Sequence, residues 1–194
     1  MTEIDMEKEY LGTLKGHFLL AMPSLQDPNF HQTVTCMCEH NSEGAMGLVV
    51  NRVHSALTAK DIFEELKIDH TAEAKSIPIH IGGPVHIAEL FVLHGPPFDW
   101  EACMKITPTL AMSNTKDIIE AIALGKGPAS FLITLGCAGW GPGQLEAEIK
   151  QNAWLTYPVF EENIFKMPVE TRWEEAVKKL GIDPALLSSK AGHA

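Results

Sequence analysis

The segment Leu135-Gly136-Cys137-Ala138-Gly139-Trp140-Gly141-Pro142-Gly143-Gln144-Leu145-Glu146 constrains the fold more than any other. In it, four glycines, a proline and a tryptophan stand between an apolar run and an acidic amphipathic one. Glycine admits positive φ and close backbone approach, and an indole needs a large surface to bury against, so the spacing predicts a tight strand-to-helix turn. The rest of the chain agrees with a mixed design. Apolar runs at 18–22, 34–38, 46–50, 77–81, 90–93 and 131–135 are short and bounded by glycine, proline or asparagine, as strands are. The second and third are joined through Asn41-Ser42-Glu43-Gly44, which reads as a hairpin with a glycine-closed turn.

Helical spacing falls between these runs. Thr58 and Asp61 form a cap-like pair ahead of Ile62, Phe63 and Leu66, which predicts a helix over 59–67. A second helix follows Ser113 or Asn114 as cap, carries Ile118, Ile119 and Ile122, and stops at Gly125. A third begins near Gly143 with Leu145 and Ile149 on one side, and a fourth covers 171–180 with Gly181 as its stop. Interspersed strands and helices argue for an α/β domain rather than a bundle or a sandwich.

At 194 residues, with 45% apolar side chains and no linker, charge block or repeat, the chain is expected to form one domain with a sizeable core, frayed at 1–9 and 188–194. Its formal charge of -10 matters more for partners than for fold. Arg52 and Arg172 are the only arginines, so a phosphate-tracking surface would have to be built from scattered lysines, and direct nucleic-acid binding is disfavoured. The start lacks the basic-then-apolar order of a secretion signal and no apolar run approaches membrane-spanning length. The expected setting is therefore the cytoplasm, away from the membrane. Cys36, Cys38, Cys103 and Cys137 sit in apolar surroundings that suit reduced thiols.

Each motif that could carry chemistry has a plainer alternative. Glu39 and His40 offer a carboxylate and an imidazole, but neighbours on a strand point to opposite faces, so closing the hairpin is the favoured role, with His40 the better site candidate. Cys36 and Cys38 share a strand face, yet no second ligand pair stands at a zinc-like spacing, and no metal or cofactor is expected. Gly82-Gly83-Pro84 and the loop from Gly139 through Trp140 and Gly141 to Gly143 could aim amides at an anion. Neither matches a phosphate-binding fingerprint, and Gln144, Glu146 and Glu148 already complement the following helix start. Glu146 and Glu148 diverge by about half a turn, there is no nucleophile elbow, and His80, His86 and His94 merely flank the Gly82–Val85 turn in sequence. Trp100, Trp140, Trp154 and Trp173 read as core or interface anchors.

Taken in order, these motifs resemble a known family. Phe18-Leu19-Leu20-Ala21-Met22-Pro23 with Asp27-Pro28-Asn29-Phe30, Cys38-Glu39-His40-Asn41 with Gly44-Ala45-Met46-Gly47-Leu48-Val49-Val50-Asn51-Arg52, Gly82-Gly83-Pro84-Val85, Leu93-His94, Ala138 to Glu146 and Asn152-Ala153-Trp154-Leu155 closely resemble the AlgH/YqgE family of bacterial proteins. The likeness runs from about residue 11 to 180. It implies a single α/β domain whose curved, partly barrel-like mixed sheet is flanked by helices. It carries no known active site. Some members are labelled transcriptional regulators, although the family has no recognised DNA-binding motif. Cys137 replaces a usual aromatic residue, and Cys36 and Cys38 occupy a strand that is commonly aliphatic or aromatic.

The leading expectation is a non-catalytic module that binds a protein partner or small ligand through the loops at 39–41, 82–86 and 139–146. Its candidate residues are Glu39, His40, Asn41, Asn51, Gly82, Gly83, Pro84, His86, Gly139, Trp140, Gly141, Gly143, Gln144 and Glu146. Two alternatives remain at this point: a transcriptional regulator acting indirectly or through DNA, and an enzyme in which Glu39, His40, Asn51 and Glu146 gather in one pocket.

Overall fold

A computed structural model describes residues 12–187. The frayed ends expected at 1–9 and 188–194 lie outside the described residues. In chain order the strands are β1 (His17–Ala21), β2 (Val34–Asn41), β3 (Gly44–Val49), β4 (Val53–Thr58), β5 (Pro78–Ile81), β6 (Val85–His94), β7 (Cys103–Lys105), β8 (Ala111–Ser113), β9 (Phe131–Trp140) and β10 (Trp154–Pro158). The helices are α1 (Ala59–Glu65), α2 (Lys116–Ala123), α3 (Gln144–Lys150), α4 (Glu161–Phe165) and α5 (Arg172–Lys179). They form a mixed α/β domain with one curled, half-barrel sheet ordered β10-β1-β2-β3-β9-β6-β8-β7, with β4 and β5 joining through β9.

β9 holds the two halves of the sheet together. Its first half pairs in parallel with β5 (Ile79 to Ile133, His80 to Thr134) and antiparallel with β6 (Leu93 to Leu132). Its second half pairs with β3, placing Ala45 opposite Trp140 and Gly47 opposite Ala138. The change of partner falls at Gly136, which takes φ +73. Half of the glycine-tryptophan segment, Leu135–Trp140, is thus strand, and the strand-to-helix turn expected from its composition is confined to the rest. Only Gly141–Gly143 turns into α3, and the reason is a crossing from elsewhere in the chain. A Cβ at Gly82 or Gly83 would collide with the carbonyl of Gly136 or of Cys137, so the two glycine motifs exist to let these backbones touch. Gly82 donates to the Leu135 carbonyl and accepts from the Val49 amide, both at 2.8 Å, which stitches β3 to β9.

Alternation along the strands separates the core. Phe18, Leu20, Cys36, Cys38, Leu48, Leu93 and Cys137 pack with Ile164, Trp173, Ala176 and Val177 of α4 and α5. On the other face Leu19, Ala21, Met37 and Ala138 pack with Trp140, Trp154 and Leu145 of α3. A third cluster places Phe63 of α1 and Ile118, Ile119 and Ile122 of α2 against Ile79, Val92 and Ile133. At about 1.5–3 kcal/mol for each large side chain taken fully from water, this apolar alternation is the main force setting strand register.

The local signals act as their chemistry requires. Asp61 accepts from the Thr58 amide at 2.8 Å and opens α1, Gly125 follows α2 at φ +70, and Gly181 follows α5 at φ +74. The cap of α2 is Thr115 rather than Ser113 or Asn114, because Ser113 belongs to β8 and is paired with Val92 and Cys103. Trp173, Ala176 and Val177 give α5 its buried stripe, and the Trp173 indole donates to the Ala21 carbonyl at 3.1 Å.

Candidate functional site

Glu39 and His40 do point apart, but a β-bulge decides how. Met37 pairs with Gly47 and Glu39 with Met46, which leaves Cys38 as the extra residue. His40 then lies opposite Ala45 on the α3 face, while Glu39 lies beside Met46 on the other. His40 Nε2 is 2.9 Å from Glu146 Oε1, and its Nδ1 accepts the Leu14 amide proton at 2.9 Å. Accepting that proton fixes the tautomer, so Nε2 carries the hydrogen and donates it to the carboxylate. Glu146 is held below the usual carboxylate range first by its own backbone amide at the helix start, and then by the His40 hydrogen bond. The His40 side chain is only 5% exposed, which makes the pair a strut tying the hairpin to α3 rather than an acid-base couple facing solvent.

The other side of α3 carries a contact that sequence reasoning missed. Glu148 Oε2 accepts the indole N–H of Trp140 at 2.9 Å and of Trp154 at 2.8 Å, and its Oε1 accepts from Gln144 at 2.9 Å. Phe30 stacks on Trp140 with 6.0 Å between centroids and meets Trp154 edge-on. The available signal was the number of indoles: a tryptophan that buries its ring brings an N–H that needs an acceptor. Two amides at this turn and in the helix it opens are likewise engaged internally. Gly141 donates to Gln144 Oε1 at 3.1 Å and Ala147 to the Gly143 carbonyl at 3.1 Å, while Gly143 supplies the left-handed entry at φ +74.

Asn51 is a clip at the opposite end of β2: its Oδ1 accepts from the Val34 amide at 2.7 Å and its Nδ2 donates to the Gln32 carbonyl at 2.8 Å. Glu39, His40, Asn51 and Glu146 therefore do not gather. The three flanking histidines also occupy different settings. His94 is buried between the Gly95 carbonyl and Ser113 Oγ, His80 is buried, and His86 is exposed with Glu89 at 3.0 Å.

Three of the candidate loops do meet, around Met46. A depression of about 250 Å³ is lined by Glu39, Asn41, Glu43, Met46 and Trp140. A second, of about 310 Å³, is lined by Met46, Val85, His86, Glu89, Cys137 and Gly139. Asn41 donates to Glu39 at 3.0 Å, which holds that carboxylate at the rim. Gly82, Gly83 and Pro84 lead into this face, and the glycines act through the backbone as above. The thiols bring little reactivity to it. Cys38 is pushed up by its hydrogen bond with Cys36 and by burial, and Cys137 by burial and the Glu89 charge, so both stay protonated. Among the described residues no three histidine, cysteine or acidic side chains cluster as a metal site would require.

Fold and site together define a mixed α/β domain with a shallow acidic-apolar face. The AlgH-like family model (DUF179) matches residues 18–185, and the chain belongs to that family. A UPF0301 protein of Desulforapulum autotrophicum is 52% identical over 97% of this chain and 100% of its own. The solution structure of the AlgH protein from Pseudomonas aeruginosa shares 47% identity, covers 94% of this chain and 96% of that one, and superposes with a TM-score of 0.78. A crystal structure from Corynebacterium diphtheriae, at 21% identity, shares the fold with a TM-score of 0.70 over 90% of this chain and 91% of that one. The curved, partly barrel-like sheet implied by the sequence resemblance is thus the fold of the family.

Proposed function

We propose that the protein is a non-catalytic cytoplasmic binding module whose recognition surface is the face around Met46, and that its occupant is a basic, partly apolar segment of a protein partner. The observation that carries this reading is the joining of two depressions at Met46 beneath three carboxylates, Glu39, Glu43 and Glu89. Val85, at 40% exposure, adds apolar area on the same face, and Ile87, at 71%, extends the exposed strand beside it. The charge of -10 supports a cationic partner. Among the described residues no helix is long and apolar enough to cross a membrane. Duplex DNA fits poorly, since Arg52 is engaged by the carbonyls of Pro28 and His31 and Arg172 is buried.

The test is fluorescence anisotropy with a labelled extended peptide of alternating lysine and leucine, a glutamate-leucine control and a random duplex. The lysine-leucine peptide should bind with a salt-dependent affinity that falls about tenfold in the triple variant Glu39→Gln, Glu43→Gln, Glu89→Gln. Equal binding of the acidic control, an unchanged triple variant, or tighter binding of the duplex would each overturn the proposal.

A further inference from the structure

Among the described residues, the strongest unexplained polarity lies away from the Met46 face. His80 on β5 is 4% exposed, and among the described residues neither ring nitrogen completes a hydrogen bond of normal geometry, the backbone of Ile133 acting on the ring only as a weaker contact. It lines a cavity of about 270 Å³ together with Arg172, the first residue of α5, and apolar walls that include Ile77, Phe131, Ile133 and Phe165. Arg172 is itself only 6% exposed. Its guanidinium donates to the Met167 carbonyl at 3.1 Å and to the Val50 carbonyl, but among the described residues no carboxylate pairs with it. Glu170 acts on it only through space.

This is an expensive arrangement to leave empty. An unpartnered buried polar atom costs about 1–3 kcal/mol, and a buried cation without a counter-ion costs more. Burial first, and then the Arg172 charge, push His80 down to about 4 against a smaller opposing contact with the Ile133 backbone, so its ring is neutral near pH 7 and carries one N–H donor on the wall it shares with Arg172. A carboxylate would supply both missing partners at once, accepting from the imidazole and neutralising the arginine. The remaining wall is hydrocarbon, and at about 30 Å³ per water-sized atom the space holds on the order of nine non-hydrogen atoms.

From this combination we infer that the His80–Arg172 cavity is a binding site for a small organic carboxylate with a short apolar tail. The carboxylate sits on the guanidinium and the imidazole N–H, and the tail lies against Ile133 and Phe165. The site is independent of the Met46 face, so failure of either proposal leaves the other standing.

Titration of the full chain with butyrate, followed by the His80 imidazole resonances, tests the inference, with butyramide and inorganic phosphate as the other probes. The resonances are assigned by their loss in His80→Leu. Saturable shifts with butyrate are expected, with butyramide and phosphate at least about tenfold weaker, and with about tenfold weaker butyrate binding to His80→Leu, which keeps the apolar wall. Butyramide equal to butyrate would remove the role of Arg172, and phosphate equal to butyrate would remove that of the apolar wall. Absence of a saturable His80 shift, or undiminished butyrate binding to a folded His80→Leu, would also overturn the site. The wild-type titration decides even where the variant fails to fold.

Discussion

Protonating His80 should destabilise the protein by an amount that can be worked out in advance. Its folded-state value of about 4 lies below the ordinary 6.5, so at intermediate pH the native state binds fewer protons at this ring than the denatured chain does. The contribution of the neutral ring is therefore intact above pH 6.5 and declines as the pH falls toward 4. Integrating the difference gives about 2 kcal/mol lost at pH 5 and about 3 kcal/mol at pH 4. In His80→Leu this loss is absent, while other groups titrate alike in both proteins and cancel. Urea unfolding of the two proteins at pH 7, 6, 5 and 4 gives the comparison. With a slope near 2 kcal/mol per molar, the midpoint gap should move by about 1 M between pH 7 and pH 5, in the direction of relative weakening of wild type. A gap constant across that range would refute the premise that this ring is neutral, dry and beside a cation.

Other substitutions probe the remaining contacts. His40→Ala removes the acceptor of the Leu14 amide and the donor to Glu146, and should cost about 1–3 kcal/mol in urea unfolding. Glu146→Gln keeps an acceptor for Nε2–H and should cost about 1 kcal/mol or less. Glu148→Ala strands two indole N–H groups, and should lower stability by about 2–4 kcal/mol and shift tryptophan emission, since Trp140 and Trp154 both lose their acceptor. Gly83→Ala drives a Cβ into the Cys137 carbonyl and should yield little folded protein in circular dichroism. Gly143→Ala has nothing within 4 Å of the new methyl and should cost only about 1–2 kcal/mol of left-handed backbone strain.

Features whose cause is local were readable from the residues. The Asn41–Gly44 turn, the Thr58–Asp61 start of α1 and the glycine stops after α2 and α5 each rest on a few neighbouring side chains, and each occurs close to where the spacing placed it. The missed elements lack such a cause. β7 and β8 have three residues each, too few to show a period, and α4 has five. β4 carries no buried residue, and Val85–Glu89 of β6 is exposed and broken by His86 and Glu89, so the apolar run that flagged 90–93 covered only part of the strand. β10 exists because β1 offers it a ladder, with Ala21 opposite Trp154.

The site divides along the same line. That Glu146 and Glu148 face different ways followed from helical geometry, but His40 is 106 residues from Glu146, and nothing short-range announces that pairing. The glycines of 82–83 and 136–139 looked like separate loops in the sequence. Their contact with each other is what explains both. His80 gave no sign in the sequence of being a buried ring that shares a cavity with Arg172, because the two residues are 92 positions apart and meet only when α5 packs on the sheet.

The placement of β9 has a consequence for how the chain is made. β1, β2 and β3 leave the ribosome early, and β5 and β6 follow, but the two groups share no ladder until residues 131–140 arrive to lie between them. Until then the nascent chain carries two open edges and apolar strands with no opposite wall, the state most prone to association with neighbours. β10 then adds the last strand at β1, so synthesis must pass residue 158 before the sheet is complete, and a truncation before residue 131 should leave insoluble fragments rather than a smaller folded protein.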